Sequence, residues 1–176
     1  MKTEPVPHAE VRPTDQADGA SRPDQLPLFV YGTLRRGQEN YWLMRGNTVS
    51  EVPATIEQMA LYSLRAYPMM VEGYSVVHGE LITIHPRVYS RLLADLDQLE
   101  GYRPGGDSRF RRVERCVRTE GGSRLLAWVY LGERRVLETE AHVAIPHGDW
   151  CRFRRDLIRG TRFGRFELAD DGQEQP

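Results

Sequence analysis

The sequence predicts an α+β fold in which strands outnumber helices. Several segments of the 176-residue chain have the apolar runs or alternation typical of strands, and fewer have the apolar spacing of a helix. Residues 120–122, Glu-Gly-Gly, separate the last two strand-like segments and are typical of a hairpin turn. The chain has no internal repeat. Hairpin-linked strands accompanied by a few helices place it in the α+β class.

The first strand is predicted at residues 28–31, Leu-Phe-Val-Tyr, where a short apolar run stops at Gly32. This pattern is typical of a buried strand that enters a turn. Further strands are predicted, in chain order, at residues 54–64, 76–84, 110–118 and 124–131.

The first helix is predicted over residues 86–99. Pro86 suits the first helical turn, and Gly101 suits the left-handed position that ends a helix. One face of this helix carries the apolar residues Val88, Leu92, Leu96 and Leu99. A second, shorter helix is predicted from about residue 148 to residue 158, with Asp149 as its N-cap.

The chain is predicted to fold as one domain, residues 26–168, between two disordered segments. Residues 1–25 form a proline-rich leader without apolar periodicity, and residues 169–176 form an acidic, polar tail. A domain of about 150 residues hides roughly 70% of the surface that its unfolded chain exposes. Such a domain holds a core without a metal or disulfide scaffold.

The composition is that of a soluble globular protein. Hydrophobic residues make up 40% of the chain, charged residues 28%, and the formal net charge is -1. The longest apolar run, residues 125–131, is far shorter than the about 20 residues of a membrane span. The N-terminus lacks the apolar stretch of a signal peptide. We therefore expect a cytoplasmic protein without a membrane partner, in which Cys116 and Cys151 are reduced.

Arginine takes the place of lysine almost throughout the chain. Of 24 basic residues only Lys2 is a lysine, and residues 109–165 carry 14 arginines against seven acids. RNA binding is one interpretation of this basic half, with aromatic residues such as Trp128 and Trp150 as stacking partners. Because no RNA- or DNA-binding motif is present, a solvated arginine surface is favoured, and we expect no nucleic-acid partner.

The segment after the first strand is a candidate anion-binding turn. Backbone N–H groups in the turn within residues 29–37 can converge on an anion, and Gly32 lets a ligand approach the main chain closely. The spacing is not that of a Walker A loop. Arg35 and Arg36 flank the turn and can steer an anionic substrate. An ordinary strand-end turn explains the same residues when they are taken alone.

Glu100 is the second candidate, at the predicted end of the first helix. The helix macrodipole disfavours a carboxylate there by about 0.3–1 kcal/mol. If Leu99 and Tyr102 also screen it from water, desolvation raises its pKa and poises it as a base that later acts as an acid. The alternative is a solvated glutamate tolerated at small cost.

The other titratable residues form no catalytic or metal-binding pattern. His142 and His147 are five residues apart, which does not place them on one helical face as a zinc pair. Serine, histidine and aspartate are present without a nucleophile elbow. We predict neither a metal site nor a cofactor.

Taken in order, short motifs along the chain resemble those of the gamma-glutamylcyclotransferase-like family. The ordered series spans nearly the whole predicted domain, although each motif alone is weak. The resemblance is carried by FVYGTLRRG at residues 29–37, LYSL at 61–64, VHGEL at 77–81, LDQLEGY at 96–102, AWVY at 127–130 and GDW at 148–150.

The resemblance implies a small mixed β-barrel with flanking helices and a cofactor-free cyclotransferase. In the family a YGTL-type loop holds the γ-glutamyl group, which carries over to Tyr31, Gly32, Thr33 and Leu34. The catalytic glutamate carries over to Glu100. The implied reaction releases an amine or amino acid from a small-molecule γ-glutamyl amide and forms 5-oxoproline.

One position departs from the family pattern. Phe110 stands where many relatives have a tyrosine before the Arg-Arg-Val strand, so a hydroxyl that could contact substrate is absent. The identity of the leaving group therefore stays open. Two alternatives to an enzyme also stay open: a binding module of the same fold for a small anionic metabolite, and an arginine-mediated RNA-binding protein.

Overall fold

The computed structural model of the protein describes residues 25–160. The predicted leader up to residue 24, the last residues of the predicted domain and the predicted tail 169–176 lie outside the described residues. No helix within the described part is long and apolar enough to cross a membrane.

Strands dominate the described residues, and five of them close into a barrel. The barrel order is β2-β4-β1-β6-β5, and it closes where β2 pairs with β5 through Ala54 opposite Thr119. The pairing of β1 with β6 is parallel, and the other pairings are antiparallel. The predicted mixed β-barrel of the α+β class is therefore confirmed. In chain order the strands are β1 Leu28–Val30, β2 Thr48–Ser63, β3 Pro68–Glu72, β4 Ser75–Ile84, β5 Phe110–Thr119, β6 Arg124–Gly132 and β7 Val143–Ala144.

Helices flank the barrel within the described residues. They are α1 Tyr89–Leu99, α2 Arg134–Thr139 and α3 Trp150–Ile158, with short 3-10 helices at Tyr41–Leu43 and Pro86–Val88. The predicted helix 86–99 is thus a 3-10 turn followed by α1. The predicted cap of α3 is confirmed, because the Asp149 carboxylate accepts hydrogen bonds from the N–H groups of Cys151 at 2.9 Å and Arg152 at 3.2 Å.

The second strand is longer than predicted. It begins at Thr48, whereas the predicted strand begins at Ala54, so the predicted start was wrong by six residues. Five of these six residues pair with β4, all but Val49. The segment is largely exposed, and it includes Pro53. Exposure removes the apolar alternation that marks a strand in sequence, and proline is depleted from strands. The short elements β3, α2 and β7 were also not predicted.

Two apolar clusters pack against β1 from opposite sides. Phe29 belongs to the cluster inside the barrel. Leu28 and Val30 belong to a second cluster, between the barrel and α1, which also contains Leu92 and Leu96. Because side chains alternate along a strand, one short strand joins both clusters. The end of β1 is thereby held close to α1, and this arrangement positions the site described next.

The basic half of the chain is rich in ion pairs. Arginines on β5 and on the segments around it meet carboxylates from other elements, which favours the predicted arginine surface over a free basic groove. The pairs include Arg111 with Glu133, Arg112 with Asp97, Arg115 with Glu72, Arg118 with Glu57 and Arg135 with Asp107.

Candidate active site

The turn after β1 leaves several backbone donors free. Arg35 N–H donates to the Gly32 carbonyl at 3.1 Å, and Asn40 donates both to the Thr33 carbonyl at 2.9 Å and to the Thr33 hydroxyl at 3.0 Å. In contrast, the N–H groups of Gly32, Thr33 and Leu34 donate to no acceptor within residues 25–160. The turn therefore presents unpaired N–H groups on a fixed backbone, as an anion-binding turn requires.

Glycine at position 32 is required by a close approach. A Cβ atom built there would lie 2.5 Å from Cγ of Pro68, the first residue of β3. Any side chain at this position would push β3 and the turn apart. The glycine thus brings Pro68 and the turn together as neighbouring walls of the site.

Glu100 is held by a specific helix end. The Gly101 N–H donates to the Gln98 carbonyl at 3.2 Å, and the Tyr102 N–H donates to the Asp97 carbonyl at 2.8 Å. Gly101 has a φ of 65°. These are the two bonds and the left-handed residue of a Schellman motif, which here fixes Glu100 as the C-cap that directly follows α1, with a helical backbone conformation.

The turn and Glu100 line one cavity of about 400 Å³. All five site residues predicted from the sequence, Tyr31, Gly32, Thr33, Leu34 and Glu100, are in its lining. The glutamate and the turn are therefore parts of the same concave surface. The catalytic and binding roles of these residues remain predictions.

Only one of the two expected screening residues lines the cavity. Leu99 does so, whereas Tyr102 does not. The Tyr102 ring instead lies beneath the Arg112 guanidinium, 5.6 Å from ring centroid to Cζ. Tyr102 is therefore not part of the cavity wall, and its screening of Glu100 from water stays a prediction.

Burial raises the pKa of Glu100 from its ordinary value of 4.5 to about 7. The cause is desolvation of the charged carboxylate, which the helix end disfavours as well. A carboxyl group with a pKa near neutrality is present in both protonation states at pH 7. It can therefore accept a proton and return it within one catalytic cycle.

Tyr31 anchors the turn to the barrel. Its hydroxyl donates to the Tyr130 carbonyl at 2.8 Å and accepts a longer bond of 3.4 Å from the Met70 N–H. Burial, followed by the nearby Glu100 carboxylate, raises the pKa of Tyr31 above its ordinary value. The phenol is therefore neutral at all physiological pH values, and it fixes the first residue of the turn.

A polar network behind the cavity ties α1 to the barrel, and sequence reasoning missed it. The Tyr130 hydroxyl donates to one Asp97 carboxylate oxygen at 2.7 Å, and Arg112 donates to the other at 2.7 Å. Asp97 lies three residues before Glu100 on α1, so it shares a helix face with it. The spacing of Asp97 and Glu100 could have indicated from sequence that they lie on one helix face. The partners of Asp97, Arg112 on β5 and Tyr130 on β6, could not be identified because they are distant in sequence.

Tyr67 and Arg109 line the same cavity and were also missed. Arg109 donates from Nη2 to the Tyr67 hydroxyl at 2.7 Å, and Nη2 lies 2.6 Å from Oε1 of Glu140. Phe110 lines the cavity as well, its ring centroid 6.2 Å from that of Tyr67. No local pattern marks Arg109 among so many arginines, so only the fold identifies it.

Arg35 and Arg36, which flank the turn, are both engaged in ion pairs, and their steering of an anionic substrate stays a prediction. Neither lines the cavity. Arg35 bonds to Glu80 at 3.3 Å and Asp149 at 2.9 Å, and Arg36 bonds to Glu51 at 2.9 Å. Arg35 thus connects the turn to β4 and to the N-terminus of α3.

The described residues hold no group of three or more histidine, cysteine, aspartate or glutamate side chains that could bind a metal ion. The two cysteines, Cys116 and Cys151, are free thiols.

A solved structure supports the fold. An uncharacterised protein from Pyrococcus horikoshii matches with a TM-score of 0.55 at 21% identity, over 78% of this chain and 99% of that chain. At this identity the likeness concerns the architecture alone, and it agrees with the five-stranded barrel described above.

Sequence relatives identify the family. The family described as "Gamma-glutamyl cyclotransferase, AIG2-like" matches residues 28–152. The gamma-L-glutamyl-butirosin B gamma-glutamyl cyclotransferase of Niallia circulans is 31% identical over 135 residues, 76% of this chain and 80% of that protein. The gamma-glutamylcyclotransferase family protein YtfP of Escherichia coli K12 is 35% identical over 126 residues, 71% of this chain and 96% of that protein. These matches show that the chain belongs to the gamma-glutamyl cyclotransferase, AIG2-like family.

Proposed function

We propose that the protein is a cyclotransferase that releases an amine or amino acid from a γ-glutamyl amide and forms 5-oxoproline. The observation that carries the proposal is the shared cavity of the turn Tyr31–Leu34 and Glu100, whose carboxyl pKa is raised to about 7. Membership of the family supports the reaction class. The cyclised product and the roles of the individual residues are parts of the proposal.

The turn is proposed to bind the charged or polarised oxygens of the substrate. Its unpaired N–H groups, at Gly32, Thr33 and Leu34, are oriented before the ligand arrives, because Asn40 and Tyr31 fix the backbone on either side. Donors that are already in place lose little entropy on binding and stabilise developing negative charge effectively.

Glu100 is proposed to move the proton. It takes a proton from the substrate's α-amine as that nitrogen attacks the γ-carbonyl carbon and the new C–N bond forms. As the tetrahedral intermediate collapses, the bond to the leaving nitrogen breaks and Glu100 returns the proton to it. Such proton transfer contributes about 10²- to 10⁴-fold to the rate, and holding the substrate curled contributes an effective molarity of about 10⁵ M or more.

A substrate panel tests the proposal. Purified protein is incubated with γ-glutamyl amino acids, γ-glutamylamines and glutathione, and 5-oxoproline is measured by chromatography. We expect product from at least one class. Saturable binding of a γ-glutamyl compound without any 5-oxoproline would instead indicate the binding-module alternative.

The titration of Glu100 gives a second expected result. Below pH 7 its carboxyl becomes protonated and cannot accept a proton, so kcat/KM is expected to fall as pH decreases from about 7. In carboxyl-detected NMR, the glutamate signal that disappears in Glu100→Gln should titrate with a midpoint near 7. A midpoint near 4.5 would show that burial does not raise the pKa of Glu100.

A further inference from the structure

The charged side chains of the cavity are few and opposite in sign. Among the described residues that line the cavity, Glu100 is the one with an acidic side chain and Arg109 the one with a positively charged side chain. Glu100 is assigned to proton transfer in the proposed function, and the N–H groups of the turn are available to the glutamyl part of a substrate. The Arg109 guanidinium is left without a role.

Arg109 is held at the mouth of the cavity. Its side chain is 46% exposed, and its Cζ lies 5.9 Å from the centroid of the Tyr67 ring. The backbone is fixed as well, since the Arg109 carbonyl accepts a hydrogen bond of 2.9 Å from the Glu133 N–H. A substrate group that contacts Arg109 therefore lies on the solvent-exposed side of the cavity.

The guanidinium keeps free donors despite its ion pair. Its contacts with the Tyr67 hydroxyl and with Glu140 both use Nη2, and the donors on Nε and Nη1 have no partner among residues 25–160. A planar fork of this kind matches a carboxylate. Glu140 neutralises part of the positive charge of Arg109. An anion is therefore bound mainly through hydrogen bonds from the coplanar N–H groups of the guanidinium.

We propose that Arg109 binds the carboxylate of the leaving amino acid and makes the protein selective for γ-glutamyl amino acids over γ-glutamylamines. This inference rests on the proposed function and adds the class of leaving group. A γ-glutamyl amide carries a second carboxylate only when its leaving group is an amino acid. The corresponding γ-glutamylamine has the same γ-glutamyl half but lacks the carboxylate that the Arg109 guanidinium would bind.

Matched substrate pairs test this selectivity. The pairs are γ-glutamylglycine with γ-glutamylmethylamine, γ-glutamylalanine with γ-glutamylethylamine, and γ-glutamylphenylalanine with γ-glutamylphenethylamine; within a pair only the carboxylate differs. The native protein should show a kcat/KM at least about tenfold higher for the acid member, since a hydrogen bond to a charged group contributes at least that factor. Arg109→Gln should remove the preference by slowing the acid members alone, and Arg109→Lys should restore part of it.

Each outcome separates this inference from the proposed function. Arg111→Gln is the matched control, because Arg111 also lies at the start of β5 but is absent from the cavity lining. It should leave the ratio within each pair unchanged. Equal kcat/KM for both members in the native protein, or an equal loss on both in Arg109→Gln, would overturn the role of Arg109 while the cyclotransferase stands. No 5-oxoproline from any of the compounds would contradict the proposed function itself, and the inference with it.

Discussion

Replacing Glu100 with glutamine is expected to reduce kcat for 5-oxoproline formation by about 10²- to 10⁴-fold, the usual contribution of a general acid–base group. Glutamine has nearly the same shape and can occupy the same helix end, but it cannot accept the proton of the α-amine. KM should change little, because the turn that binds the γ-glutamyl group is intact. The measurement is steady-state formation of 5-oxoproline with the best substrate of the panel.

Stability provides the internal control for this variant. The pKa of Glu100 is raised from 4.5 to about 7 in the folded protein, so the folded state binds more protons than the unfolded state between these pH values. The free energy of unfolding therefore decreases as pH rises through this window, and the penalty is complete above pH 7. Glu100→Gln should remove that penalty and increase stability by about 1–3 kcal/mol at pH 8.

Asp95→Asn is the matched charge control, since Asp95 is an exposed acid on the same helix and is absent from the cavity lining. It should change neither kcat nor the pH dependence of stability appreciably. Full turnover by a folded Glu100→Gln protein would remove Glu100 from the mechanism.

The second large effect is expected at Asp97. Asp97→Ala removes the acceptor of both the Tyr130 hydroxyl and the Arg112 guanidinium, and it leaves a partly buried cation without its partner. We expect a loss of about 2–3 kcal/mol in the free energy of unfolding, by chemical denaturation. Because Asp97 connects the end of α1 to β5 and β6, kcat should also fall while the pH midpoint of Glu100 shifts.

A second variant keeps this prediction testable if Asp97→Ala does not fold. Asp97→Asn retains one acceptor oxygen for Tyr130 and loses the charge that faces Arg112, so it should lie between native protein and Asp97→Ala in both stability and kcat. Unchanged kcat together with an unchanged Glu100 midpoint in Asp97→Asn would show that the network supports the fold without positioning Glu100.

The parts of the site that the sequence predicted depend on local signals. Gly32 ends an apolar run, and Gly101 directly follows a carboxylate at a helix end, so both are visible within a few residues of chain. Arg109 and Tyr67 have no such signal. They meet at the cavity because β3 and the start of β5 are brought to the same end of the barrel, 42 residues apart in sequence.

The same distinction applies to the fold. The cap of α3 at Asp149 and the run that forms β1 follow from neighbouring residues, whereas closure of the barrel by Ala54 opposite Thr119 depends on pairing between distant segments. The mixed barrel was predicted through the resemblance to a family, not through periodicity. The exposed start of β2 escaped prediction because strand pairing there does not require apolar side chains.

The most direct test of the account follows the substrate's α-nitrogen. A γ-glutamyl substrate labelled with ¹⁵N at the α-amine is turned over, and the product is identified by NMR and mass spectrometry. Intramolecular attack predicts that the label appears in the ring amide of 5-oxoproline, with no oxygen taken up from ¹⁸O-water. Labelled free glutamate carrying ¹⁸O would show that water attacks the γ-carbonyl, and it would contradict the assignment of Glu100 to cyclisation.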